Sequence, residues 1–169
     1  YTIDVLGKTN KEVADPYASS SNANGKRSLV VNWEKIETNL TNVAPEVVSP
    51  SSVTVYETHV RDFSMSDSWN GKNENRGKYL GMIEEGTKLS TGESTGFDYI
   101  KNSGVTHIQL QPVYDFASVD ETKLNDKKYQ TAHRGGIYNW GYDPYSYSSL
   151  EVSYSSDPND GLTRINEFR

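Results

Sequence analysis

The residues best suited to chemistry lie in one aromatic stretch, residues 138–147, which reads YNWGYDPYSY. Rings alternate there with an amide and a carboxylate, and a strand would place the rings on one face. Sugars have apolar faces and hydroxyl edges, so a site that binds them needs flat rings beside carboxylates and amides. An aromatic core face would explain the rings equally well, although Gly141 and Pro144 interrupt a strand. The candidate residues are Tyr138, Asn139, Trp140, Tyr142 and Asp143.

A second polar group, Glu57–Asp62, ends an apolar strand predicted over Val53–Val60. Charged residues at the C-terminal end of a parallel strand lie where barrel active sites are found. For Glu57 and Arg61 we favour the alternative, an ion-pair network that locks the strand to its neighbours. His107 lies within an apolar stretch, where a hydrogen-bonded core histidine is favoured over a ligand or a base.

No matched pair of carboxylates can be recognised. Glycoside hydrolysis needs one acid and one base or nucleophile on either side of the bond. Asp62, Asp115 and Asp143 are candidates by position only, and His133 lies in a predicted loop that indicates no role. The sequence also contains no Gly-rich phosphate loop, zinc-ligand spacing or nucleophile elbow.

A helix and a second strand follow the first strand along the chain. The pattern predicts the helix within Ser94–Ser103, with Gly104 as its stop, and the strand over Val105–Leu110. This order is a βαβ unit, which predicts a parallel sheet and an α/β fold. A polar loop is predicted over 115–137.

The N-terminal region differs in character. Residues 1–33 are predicted to form strands and turns, with a hairpin turn at Gly7–Asn10 and a last strand at Arg27–Val31. Two or three strands cannot bury a core alone, so we expect the C-terminal part of a β-sandwich module. Residues 34–52 have weak periodicity and are predicted to be a linker to a second domain, residues 53–169.

The chain ends inside a helical pattern. Leu162, Ile165 and Phe168 are three residues apart, and the sequence stops at Arg169 without a glycine, a proline or a cap. Two parallel strands with one finished helix would leave both faces of the sheet uncovered. We therefore expect a truncated fragment that a further polypeptide completes.

Composition argues against several classes of protein. The net charge is −6 and no basic cluster is present, so no nucleic-acid partner is predicted. No stretch approaches the roughly 20 apolar residues of a membrane span, so no membrane partner is predicted. The absence of cysteine removes disulfides and thiolate metal sites. We expect an extracellular or cell-surface location in a bacterium, with the cytoplasm as the alternative.

The segment Tyr138–Pro144, YNWGYDP, matches the signature of type I pullulanases, which belong to the alpha-amylase superfamily of glycoside hydrolases. Tyr56–Ser64 resembles the first barrel strand of that family, and Gly104–Val113 resembles its second strand. Asp15–Tyr17 and Asn24–Ser28 are similar to the end of the β-sandwich module that precedes the barrel. The resemblance covers nearly the whole chain.

The resemblance implies a partial TIM (β/α)8 barrel and retaining hydrolysis of α-1,6-glucosidic bonds in pullulan, starch or glycogen. The catalytic carboxylates would lie beyond Arg169, so no residue of this chain is assigned a catalytic role and the chain alone is predicted to be inactive. By resemblance, Tyr142 stacks on the glucose being cleaved and Asp143 lines the same pocket. Three more residues would shape or support that pocket: Tyr138, Asn139 and Trp140.

The resemblance implies neither a cofactor nor a metal site in this chain and allows calcium in the complete enzyme. The implied partners are an α-glucan substrate and the C-terminal remainder of the same enzyme as a complementary chain. A related α-glucan hydrolase or a branching enzyme is the nearest alternative. A non-catalytic glucan-binding module would use only the aromatic residues, and a surface adhesin would explain none of the motifs.

Overall fold

The computed structural model describes residues 2–10, 13–36, 49–131 and 136–169. It begins with an antiparallel hairpin of β1 (Ile3–Val5) and β2 (Lys8–Asn10). The turn lies at Leu6 and Gly7, with φ values of 51° and 76°, as a tight two-residue hairpin turn requires. The predicted hairpin is confirmed, but its turn lies earlier than the predicted Gly7–Asn10, because three of those residues form β2.

The rest of the N-terminal segment is irregular. The strand predicted over Arg27–Val31 is reduced to an isolated antiparallel bridge between Ser21 and Ser28. Short 3₁₀ turns occur at Ala23–Gly25 and Trp33–Lys35. Most of the predicted linker, 37–48, lies outside the described residues, and the β-sandwich module and the domain boundaries stay predictions.

The βαβ unit is confirmed. Strand β3 (Val55–Thr58) pairs in parallel with β4 (His107–Leu110), so that Val55 lies opposite His107 and Thr58 opposite Leu110. Helix α3 (Gly96–Ser103) ends at Gly104, whose φ of 79° is the left-handed conformation of a helix stop. In the described residues this two-stranded sheet is not closed into a barrel, and Val55, Tyr56 and Ile108 are exposed on it.

A second sheet follows β4, and its first strand begins one residue before the loop that the sequence predicts over 115–137. Strand β5 (Tyr114–Phe116) pairs antiparallel with β6 (Pro144–Leu150), with irregular register on both sides of Asp115. Helix α4 (Lys127–Thr131) lies between them in sequence. The pairing was missed because β5 has only three residues and begins just after Pro112.

Three further helices complete the described structure. Helices α1 (Val60–Phe63) and α2 (Tyr79–Met82) are single turns. Helix α5 (Gly161–Phe168) is capped by Asp160, whose carboxylate accepts the Leu162 N–H at 3.0 Å. None of the described helices is long and apolar enough to cross a bilayer.

The core is rich in aromatic rings. Tyr154 is buried in edge-to-face contact with Tyr79 and Phe116, at centroid distances of 5.5 and 5.7 Å. Phe168 of α5 packs on Tyr79 at 5.3 Å. The same core cluster contains Val60, just after β3, and Val119, in the segment that follows β5.

Candidate functional site

The aromatic stretch forms an irregular loop, residues 138–143, which we call the aromatic loop. Gly141 has a φ of 93°, and a side chain there would meet the Pro112 carbonyl oxygen at 2.8 Å. The Asn139 side-chain oxygen accepts the Gly141 N–H at 2.7 Å and holds the turn. Tyr138, Trp140 and Tyr142 are 47%, 66% and 65% exposed, so they do not form a core face within the described residues.

His59 attaches the aromatic loop to the end of β3. Its ring is buried, and Nε2 lies 2.8 Å from the Asn139 carbonyl oxygen and 2.9 Å from the Tyr154 hydroxyl. A carbonyl oxygen can only accept, so Nε2 carries a proton in this arrangement. Nδ1 lies beside both the backbone N–H and the carboxylate of Asp62. Every polar atom of the ring is therefore engaged.

The role of His59 was missed from sequence. It was one residue of the charged run at the end of the first strand, and only its position there could have indicated a function. Burial raises the pKa of the neighbouring Tyr154 far above its usual range, so this hydroxyl stays protonated beside the imidazole. The pair fixes one backbone carbonyl of an otherwise exposed loop.

Ser118 attaches the other end of the aromatic loop. Its hydroxyl donates to the Asp143 carboxylate at 2.5 Å and accepts from the Asn139 amide at 2.6 Å. The Ala117 N–H donates to the Asp143 carbonyl oxygen at 2.8 Å. Asp143 Oδ1 has no hydrogen-bond partner among the described residues. The loop thus presents rings outward while its polar backbone is held from both sides.

The three carboxylates that were candidates by position lie in different environments in the structure. Asp62 is half-exposed and receives a long hydrogen bond, 3.4 Å, from the Tyr138 hydroxyl. Asp143 is in the aromatic loop. Asp115 is completely buried, so it is no longer a candidate for a carboxylate that acts on a glycosidic bond.

Two other predictions need correction. The Glu57 carboxylate accepts hydrogen bonds from the side chains of Gln109 and Gln111 at 3.4 and 3.1 Å. Its partners are therefore neutral amides rather than the cation that the predicted ion pair requires. His107 is exposed rather than in the core, and its Nδ1 contacts the Thr106 hydroxyl at 2.8 Å. His133 lies outside the described residues.

Asp115 belongs to a buried group that we call the carboxylate cluster: Asp115, Glu121, Glu151 and the guanidinium of Arg164, which interacts with the three carboxyl groups through space and forms no ion pair with them within the described residues. The Ser21 hydroxyl donates to Asp115 at 3.0 Å, and the Asn24 N–H donates to Glu121 at 2.5 Å. Arg164 donates to the Ser21 carbonyl oxygen at 3.1 Å. The cluster therefore joins the N-terminal segment to the loop after β5 and to α5.

The three carboxyl groups favour their protonated forms. Burial raises the pKa of Asp115 to about 6 and that of Glu151 to about 7. Burial also raises the pKa of Glu121, and the neighbouring carboxylates of Glu151 and Asp115 raise it further. Three ionised carboxylates beside one guanidinium would leave uncompensated negative charge in the interior.

One oxygen from each of Asp115, Glu121 and Glu151 lies within 4.8 Å of the others, close enough for a shared cation. Calcium takes about 6–8 oxygen ligands, and this group offers three carboxylates beside a buried positive charge. Both Glu151 oxygens already accept backbone N–H bonds, from Phe116 at 2.9 Å and Ser153 at 2.9 Å. We therefore assign the cluster to the structure and assign no metal to it.

Comparison with known proteins identifies relatives of the chain that carries this βαβ unit and exposed aromatic loop. Over 158 residues the chain is 38% identical to the pullulanase of Bacillus subtilis strain 168, in an alignment that covers 94% of the chain and 20% of that protein. No protein-family model matches the chain.

Solved structures agree. The apo pullulanase of Paenibacillus barengoltzii superposes with a TM-score of 0.84 at 38% identity, covering 98% of this chain and 24% of that one. A pullulanase from an Anoxybacillus species, complexed with maltotetraose, gives a TM-score of 0.81 at 36% identity, covering 99% and 22%. The chain is homologous to one segment of the pullulanases, and it spans about a fifth or less of the length of the curated relatives it matches.

Proposed function

We propose that this chain is a segment of a starch-debranching glycoside hydrolase and that it supplies part of the surface that binds the α-glucan. The observation that carries the proposal is the exposed aromatic loop, whose YNWGYDP sequence is held by buried His59 and by Ser118. Exposed rings beside a carboxylate and an amide suit the apolar faces and hydroxyl edges of glucose units. The homology with pullulanases supports the same substrate class.

In this proposal Tyr142 is the ring that stacks on the glucose unit at the cleavage point. Its side chain is 65% exposed, so an apolar sugar face can cover it. Asp143 lines the same pocket; its Oδ2 is held by the Ser118 hydroxyl and its partner-free Oδ1 is buried, so a bond to a sugar hydroxyl requires the side chain to rotate. Asn139 shapes the loop, while Tyr138 and Trp140 flank the platform.

The hydrolytic step would be retaining and would use carboxylates that other parts of the enzyme provide. Such a mechanism needs two carboxyl groups about 5–5.5 Å apart, one on each side of the bond. The buried carboxylate cluster cannot serve, because a glucan cannot reach side chains that are almost completely enclosed. We therefore propose that residues 1–169 alone do not hydrolyse pullulan.

The complementary partner in this proposal is the remainder of a (β/α)8 barrel. Strands β3 and β4 leave Val55, Tyr56 and Ile108 exposed, and parallel sheets are stable when both faces are covered. Further barrel strands and helices would cover those side chains. An extracellular or cell-surface location remains part of the proposal and rests on the sequence alone.

The test is product analysis on pullulan, with residues 1–169 expressed alone and together with the rest of the enzyme. We expect maltotriose only from the complete enzyme, because cleavage of α-1,6 bonds in pullulan releases that unit. Products of α-1,4 cleavage would instead favour a related α-glucan hydrolase. Maltotriose release by the fragment alone would contradict the assignment of the catalytic carboxylates to other segments.

A further inference from the structure

A second concave site adjoins the aromatic loop. It has a volume of about 270 Å³ and lies between the N-terminal segment and the loop that follows β5. Its polar and aromatic lining comes from both segments: Asn24, Lys26, Ser118, Asp120 and Tyr145. Ser118 is shared, because its hydroxyl also donates to Asp143 of the aromatic loop. A chain bound at the aromatic loop could therefore continue into this pocket.

Tyr145 provides a fixed ring in the pocket. The ring packs against the backbone of Gly25 so closely that an added Cβ there would overlap Tyr145 Cδ1. Gly25 has a φ of 63°, so both its conformation and this contact favour glycine. The ring nevertheless remains 53% exposed. One part of Tyr145 is thus immobilised by the N-terminal segment while the rest faces the pocket.

The polar groups around the ring can act on hydroxyls. Lys26 is exposed and forms no ion pair within the described part of the chain, so its ammonium is available as a donor. The Asp120 carboxylate is held by the Asn24 amide at 3.1 Å and by Lys123 at 2.7 Å. Asp120 Oδ1 also accepts bonds from the Thr122 hydroxyl at 2.6 Å and the Thr122 N–H at 3.3 Å, so Oδ2, beside Lys123, is the oxygen that can accept a bond from a ligand without a large loss of side-chain entropy.

We propose that this pocket is an additional subsite for one glucose unit of the α-glucan, with Tyr145 as its platform and Lys26 and Asp120 at the hydroxyl edges. The proposal rests on the proposed function of the aromatic loop. Pockets for drug-sized ligands begin at about 300 Å³, so this volume suits one sugar ring rather than several. One cation and one carboxylate beside a ring suit a neutral polyhydroxyl ligand better than a charged one.

The test compares Tyr145→Ala with Tyr147→Ala in the complete enzyme. Tyr147 is a matched control because it is two residues along the same strand, is 77% exposed, and does not line the pocket. The measurement is KM and kcat on branched maltooligosaccharides of increasing length. Tyr145→Ala should raise KM roughly 3- to 10-fold for substrates long enough to reach the pocket, with kcat and short substrates unchanged. Tyr147→Ala should change neither constant.

Two further variants keep the test decisive. Tyr145→Phe retains the ring and should preserve KM, and Lys26→Met, on an exposed side chain, should raise KM for long substrates only. If Tyr145→Ala and Lys26→Met match the wild type at every length, or raise KM equally at every length, the subsite is overturned while the proposed function stands. A wild-type enzyme that releases no maltotriose from pullulan would overturn the proposed function itself, together with the subsite that rests on it.

Discussion

The aromatic loop and the carboxylate cluster are close neighbours, but the rings of the loop are exposed and the side chains of the cluster are buried. Asp115 of the cluster is buried, whereas Ser118, three residues later, holds the exposed loop. The loop keeps its backbone polar groups bonded and leaves its rings free. The cluster encloses its charges and uses them to hold three segments together.

The difference indicates that separate regions of this chain serve ligand binding and stability. Rings that are half or more exposed contribute little to the core, so they are available for a ligand. Buried carboxylates beside one guanidinium are expensive to break apart, so they fix the position of the N-terminal segment. Mutations in the loop should therefore change activity, and mutations in the cluster should change stability.

The largest effect is expected from Arg164→Met. Removing the buried guanidinium leaves the carbonyl oxygens of Ser21, Leu150 and Pro158 without their donor and removes the positive charge nearest the carboxyl groups, at a cost of about 3–5 kcal/mol in the free energy of unfolding. Urea denaturation of the complete enzyme measures this cost, and Arg27→Met, at an exposed arginine of the N-terminal segment, is the control. A loss below about 1 kcal/mol in the free energy of unfolding would contradict the claim that the cluster, unlike the loop, determines stability.

The second effect is a pH dependence of stability that originates in the cluster. The pKa values of Asp115 and Glu151 are raised on folding, to about 6 and about 7, so the folded state binds more protons than the unfolded state. Stability should therefore be highest near pH 4 and fall as pH rises towards 7.

The Asp115 share of this loss is up to about 3 kcal/mol. Asp115→Asn should flatten the curve, because an amide retains the bond from Ser21 and does not ionise. Asp98→Asn, at a carboxylate outside the cluster, should leave the curve unchanged. Stability that rises between pH 4 and 7 in the wild type would contradict the assignment.

The third effect concerns the anchor of the aromatic loop. His59→Ala removes the donor to the Asn139 carbonyl, and the displaced loop should lower kcat/KM on pullulan roughly 100-fold. His59→Gln offers a replacement N–H and should restore part of that loss. If both variants lose the same kcat/KM, and that loss parallels their loss of stability, His59 stabilises the core rather than positioning the loop.

The smallest effect is expected from Ser118→Ala. It removes the bonds to Asp143 and Asn139, each with a net value of about 1 kcal/mol, so KM should rise a few-fold while the fold is retained. Ser156→Ala, at an exposed serine, is the control. A large loss of stability in Ser118→Ala would show that Ser118 stabilises the fold, as the cluster does, rather than holding the aromatic loop.

Sequence patterns predicted the features that depend on local chemistry. The apolar runs indicated β3 and β4, and Gly104 marked the end of α3, because a left-handed residue there favours glycine. The aromatic loop was found from residue types and from its family signature. Whether its rings were exposed could not be predicted, because burial depends on what the rest of the fold leaves uncovered.

Other features depend on contacts between segments far apart in the sequence. The β5–β6 pairing joins residues about thirty positions apart, and β5 is too short to show a period. The carboxylate cluster combines Asp115 and Arg164, and both bond to Ser21; no local pattern connects these three residues. His107 looked like a core residue because its neighbours are apolar, yet its strand is exposed in the described structure.

The most direct test of the central claim is Tyr142→Ala in the complete enzyme, with Tyr99→Ala as the control. Tyr99 is an exposed tyrosine of similar accessibility on α3, at 51%. We predict that Tyr142→Ala lowers kcat/KM on pullulan roughly 100-fold while its urea denaturation midpoint stays that of the wild type, because a misplaced sugar loses its alignment. Unchanged kcat/KM, or unfolding of the variant, would contradict a glucan-binding role for the aromatic loop.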